Sequence, residues 1–136
     1  MTFIFQAKPA IYLLEEKLEV GKEVGWLASR YRDRMHKDDI VYYWRAGDKD
    51  KRGIYGRGYI TSNGAFIDRK GTYRVAVTCK EIFQNHITIA RILAHPILSE
   101  MTIVRSAMGT NFILTDEESN ALSALVEEIF GIKKAP

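Results

Sequence analysis

The chain has 136 residues, 46% hydrophobic and 27% charged, with a net charge of +3, the profile of one soluble domain long enough to bury a core. A single cysteine rules out an internal disulfide and a cysteine-based zinc site. No apolar run approaches the roughly 18 residues of a membrane helix and no signal peptide opens the chain, so a cytoplasmic protein is expected, with no membrane partner.

Charge is unevenly spread. Arg30 to Arg57 holds nine Lys/Arg against five Asp/Glu, and Arg69 to Arg105 six against two, whereas Ser106 to Pro136 holds two against five. Cationic surface is therefore expected in the middle of the chain, as an anionic partner would require.

Thr2 to Gln6 reads as a short strand. Pro9 suits a first helical turn, and Ile11, Leu14 and Leu18 follow at helical spacing until Gly21 stops them. Val20 to Lys37 lacks a clean period and reads as a long loop with one helical turn near Ala28 to Tyr31. His36 to Asp39 is a polar turn feeding a strand over Ile40 to Arg45. Ala46 to Arg52 is an exposed loop, and Gly53 to Ser62 is the returning strand. Its glycines Gly53, Gly56 and Gly58 mark either a bend or a place where a ligand or another backbone comes close. After the Asn63-Gly64 turn, Thr72 to Lys80 alternates as a strand with Tyr73, Val75, Val77 and Cys79 on one side. Ile87 to Ala94 suits a short helix and Met101 to Val104 an extended piece. Thr115 and Glu118 form a capping box, after which Leu122, Leu125, Val126 and Ile129 stripe one helix face. This order gives an α/β (α+β) domain around a curved sheet or open barrel.

The densest chemistry lies between Gly25 and Trp44. Trp26 precedes Arg30, Arg32 and Arg34, and Trp44 closes the aromatic strand Tyr42-Tyr43-Trp44. Flat π faces beside guanidinium groups suit a base attached to a phosphate backbone. Tyr42 shares a strand face with Trp44, whereas Val41 and Tyr43 point the other way. His36, His86 and His95 show no ligand spacing, and no nucleophile elbow or phosphate-cradling loop is present. A binding module is expected, not an enzyme, with no metal or other cofactor.

In register, several blocks resemble the EVE domain, a member of the PUA-like superfamily and a relative of the YTH readers. They are Trp26, Arg34-Met35, the run from Asp39 to Gly47, Gly53 to Gly58, Leu93 to Leu98, Ile103-Val104-Arg105, and Gly109 to Glu118. The turn that usually reads Gly-Asp in this family is Asp38-Asp39 here, and Ser62 to Gly71 is short. The resemblance spans most of residues 3–130, so residues 1–130 read as one domain and 131–136 as a tail. It implies a PUA-like open barrel of about five to six strands flanked by helices. It further implies a pocket for a flipped, modified base, namely methylated or hydroxymethylated cytosine or N6-methyladenine in DNA. Modified RNA and a free nucleobase are the alternatives. Family members often accompany nuclease or ATPase modules of modification-dependent restriction, so such a partner is expected, with this chain as the N-terminal domain of a longer effector.

By the same resemblance Trp26 and Trp44 are the walls of the cage, and Tyr42 lines it. Ile54 and Tyr55 bring backbone to the ligand. Asn111 bonds the base or shapes the turn before the last helix. Arg30, Arg32, Arg34 and Arg57 contact phosphate, and Arg105 contacts phosphate or pairs with an internal carboxylate.

Overall fold

Seven strands join into one mixed sheet in the computed structural model, which describes residues 1–133. They are β1 (Thr2–Ala7), β2 (Glu23–Leu27), β3 (Ile40–Arg45), β4 (Gly53–Ile60), β5 (Phe66–Ile67), β6 (Tyr73–Thr88) and β7 (Asn111–Ile113). The order is β2-β6-β4-β3-β1-β7, with β5 paired to β6. β1 lies parallel to β3 and antiparallel to β7. The sheet curls into the half-barrel of a PUA-like α+β fold, with helices α1 (Leu14–Lys17), α2 (Ile89–Leu93), α3 (Thr102–Arg105) and α4 (Asp116–Phe130). Of the expected tail, residues 134–136 lie outside the described part.

Both faces of the sheet are buried, and strand alternation sorts the side chains between them. Phe3, Phe5, Val41, Tyr43, Val75 and Val77 point into the barrel, where Trp26 and Met35 join them. Ile4, Tyr42, Trp44 and Ile54 point outward and are covered by Ile92, Leu98, Ile103 and the α4 stripe of Leu122, Leu125 and Val126. The Thr115–Glu118 capping box is formed as expected, and Gly131 ends α4 at φ +69°.

Several elements differ from the sequence expectation. The segment read as a long loop contains β2, whose edge position against β6 gives it a weak apolar period. The first helix is one turn long, because Leu13 and Leu18 adopt extended backbone on either side of it; Ile11 is consequently exposed instead of packed. The turn near Ala28 falls later, as a 3-10 turn over Arg32–Arg34. β6 runs on to Thr88, and Thr102–Arg105 is helical instead of extended.

The β4 glycines have a packing cause. A Cβ on Gly53, Gly56 or Gly58 would collide with the backbone carbonyl of Ile87, Glu81 or Thr78 on β6. They let strands β4 and β6 close up. Asp38 sits at φ +75°, a left-handed conformation that Asp tolerates better than most residues.

Cys79 is 3% exposed inside the barrel. Burial, helped by the Glu81 carboxylate, pushes its thiol up from the usual 9.0 to about 11. At pH 8 this leaves about a hundredfold less thiolate than an ordinary thiol carries. Iodoacetamide is therefore expected to alkylate Cys79 at least about a hundredfold faster in urea-unfolded chain than in the fold, as read by mass spectrometry. The unfolded thiol ionises first as pH rises, so this group's contribution to stability is complete below pH 9.0 and is lost towards pH 11.

Candidate nucleic-acid interface

A cavity of about 310 Å³ opens where the barrel is split. At about 30 Å³ per water it holds roughly ten water-sized groups, comparable with one substituted nucleobase. The end of β1 and the turn after it supply Gln6, Ala7, Lys8, Ile11 and Tyr12. Gly25, Trp26 and Leu27 of β2 form a second wall with Arg74 of β6, and Gly109 and Thr110 complete the third. Among the described residues that line it, none is acidic.

Trp26 is 7% exposed, and its ring is fixed by three others. Phe5 and Tyr43 lie 6.0 Å and 5.7 Å away on the barrel side, and Tyr12 meets it edge-on at 5.3 Å. Such packing sets the orientation of this wall residue before any ligand arrives. Arg74 reaches this wall across Gly25: a Cβ there would lie 3.7 Å from its Cδ. Its Nε is 3.2 Å from Asp68. The Asp68 carboxyl is held below its ordinary pKa by the Thr72 backbone N–H, with Arg74 adding to the effect.

Asn111 closes the split. Its Nδ2 donates to the Leu27 carbonyl at 2.9 Å, and its Oδ1 accepts from the Ser29 backbone N–H at 2.8 Å. β2 and β7 are the two ends of the strand order, so one side chain bridges the sheet edges where no ladder does. Asn111 is fully buried and both ends of its carboxamide are engaged, so it orders the 27–29 backbone behind the cavity instead of meeting a base.

The two tryptophans do not face each other. Trp44 and Tyr42 lie in the outer layer beneath the helices, and Trp26 lies inside the barrel. The expectation of a shared cage fails because Trp26 shares its face with Tyr43, the residue that alternates away from Trp44. Ile54 is also fully buried in the outer layer. Tyr55 stacks flat on His86 at 4.6 Å, away from the cavity. Arg57 is 2% exposed and bound to Glu81 at 2.9 Å, which removes it from the phosphate set. Arg30, Arg32 and Arg34 remain exposed on the loop after β2, and the Arg32 guanidinium lies 3.9 Å from the centroid of the Tyr73 ring. Arg105 is 70% exposed, with Glu100 at 3.8 Å, a loose surface pair.

Gln6, Lys8, Tyr12 and Arg74 were not singled out from sequence. Gln6 carried a usable signal, a polar residue ending an otherwise apolar strand. So did Arg74, which alternates against the apolar side of β6. No cluster of three or more His, Cys, Asp or Glu able to hold a metal, and no helix long and apolar enough to cross a membrane, occurs among the described residues.

The curated proteins contain no match to this sequence. Among solved structures, Rpa0253 from Rhodopseudomonas palustris superposes with a TM-score of 0.74 at 16% identity, over 94% of this chain and 94% of that one. The DUF55 domain of human thymocyte nuclear protein 1 gives 0.74 at 16% identity, over 95% of this chain and 99% of that one. The human THYN1 protein, solved in complex with 5-methylcytosine containing DNA, gives 0.71 at 16% identity, over 93% and 97%. At these identities the likeness is one of fold. The EVE domain family model matches residues 2–125, and the chain belongs to the EVE domain family.

Proposed function

We propose that this domain binds DNA and holds one modified base, turned out of its stack, in the cavity beside Trp26. The observation that carries the reading is the fixed Trp26 wall in a base-sized cavity rimmed by Lys8 and Arg74 and free of lining carboxylates. Turning a base out costs a few kcal/mol, and one aromatic stack returns about 1–3 kcal/mol. Arg30, Arg32 and Arg34 on the adjoining loop, with Arg105, take the phosphates. The DNA complex of the similarly folded human THYN1 protein supports the same partner class. In this role the domain is the specificity element of a modification-dependent defence system, and an associated nuclease or ATPase module supplies the activity.

Matched duplexes test it, differing in one base among cytosine, 5-methylcytosine, 5-hydroxymethylcytosine, adenine and N6-methyladenine. One modified duplex is expected to bind more tightly than its unmodified counterpart, and Trp26→Leu to weaken that binding by about 5- to 150-fold, the stacking term converted. Thermal melts of the variant separate this from lost packing against Phe5 and Tyr43. Equal affinity for all the duplexes sinks the reading. Tighter binding of the matching RNA would move the partner from DNA to RNA.

A further inference from the structure

Of the exposed large apolar residues, Ile11 at 83% and Met108 at 78% are the most exposed, and both stand at or next to this one cavity in the chain. Ile11 lines it, and Met108 directly precedes the lining residue Gly109. Scattered apolar side chains on a surface need no explanation. Here one of the two extreme ones lines the cavity and the other stands one residue from its lining.

The backbone around Met108 is held in place. Gln6, itself 6% exposed, donates from Nε2 to the carbonyls of Ala107 at 2.9 Å and Gly109 at 2.7 Å. Those carbonyls bracket Met108. The Gln6 backbone N–H donates to Thr110 at 2.8 Å, and Gly109 turns the chain at φ +113°. A buried polar side chain thus fixes a loop tip whose own side chain stays in water. This arrangement presents an apolar group instead of burying it.

We propose that Met108 is a wedge that enters the base stack vacated when a nucleotide turns into the cavity, with Ile11 shielding the opposite rim. The proposal rests on the base-pocket reading above. Apolar side chains inserted between base steps are a recurrent means of opening a duplex, and unbranched Met adapts to an irregular gap. Its backbone is pinned on both sides, so insertion costs little ordering beyond the side chain itself.

The test compares two substrates carrying the same modified base, one in a duplex and one in a single strand with no stack to fill. Met108→Ala is expected to weaken duplex binding by about tenfold while leaving single-strand binding within about twofold of the unmodified protein. Met108→Leu is expected to restore most of the loss. A 2-aminopurine beside the modified base is expected to brighten less with the alanine variant. Equal losses on both substrates, or no loss on either, overturn the wedge while the base-pocket reading stands. If the unmodified protein fails to prefer any modified duplex, the base-pocket reading falls and the wedge with it.

Discussion

Replacing Arg57 with alanine is expected to lower the unfolding free energy by about 3–5 kcal/mol, the cost of leaving one partner of a buried ion pair alone. Its guanidinium is 2% exposed, and Nη2 and Nε reach Glu81 at 2.9 Å and 3.4 Å. Burial works against the charge, but the hydrogen bonds to Glu81 and Tyr42 outweigh it, so the guanidinium is held protonated even more firmly than usual. Nη2 also donates to the Lys133 carbonyl at 3.2 Å, tying the chain beyond α4 to the sheet. Urea titration reads the loss. The double variant Arg57→Met with Glu81→Met is expected to recover most of it, since an apolar pair of similar volume avoids desolvating two charges. A binding measurement separates this role from phosphate contact. At temperatures where the alanine variant stays folded, its salt dependence of DNA binding is expected to match that of the parent. Arg30→Ala or Arg32→Ala is expected to flatten it by about one unit of slope.

Arg57 shows why the site was only partly legible from sequence. Local signals were reliable where the physics is local. The capping box at Thr115, the alternation of Tyr42 against Tyr43, and the aromatic strand itself all depend on near neighbours. Which face of β3 becomes the barrel interior depends on β1, β2 and β6, residues far away in the chain. Trp44 and Tyr42 look outward because the apolar stripe of α4 must be buried, and their face of the sheet covers it. Arg57 sits among glycines that left open a bend, a ligand or a neighbouring backbone; it is the backbone of β6 that comes close, and β6 delivers Glu81. Trp26 was singled out from a segment read as a loop, although it belongs to an edge strand.

Removing the carboxamide of Asn111 is expected to open the barrel at its seam. Asn111→Ala leaves the Leu27 carbonyl and the Ser29 N–H without that partner, at about 1–3 kcal/mol for each such group that stays dry, so a loss of about 2–6 kcal/mol is expected when both do. Asn111→Asp discriminates further. It keeps the acceptor for Ser29 but sets a second oxygen against the Leu27 carbonyl, in a position with no exposure. An ionised carboxylate is disfavoured there, so its pKa in the fold rises above the unfolded value of about 3.9. The protonated acid can again donate to Leu27. The sign follows: a raised pKa gives stability that is present at low pH and is lost as pH rises. The aspartate variant is therefore expected to be destabilised at pH 7 and to recover towards pH 4, whereas the alanine variant should show no such recovery. Trp26 immediately precedes Leu27, and the Arg30–Arg34 loop follows Ser29. Faster hydrogen exchange at the Ser29 amide should accompany weaker binding of the modified duplex in both variants at pH 7. Intact affinity alongside a loosened Ser29 would mean that the Trp26 wall does not depend on the closed seam.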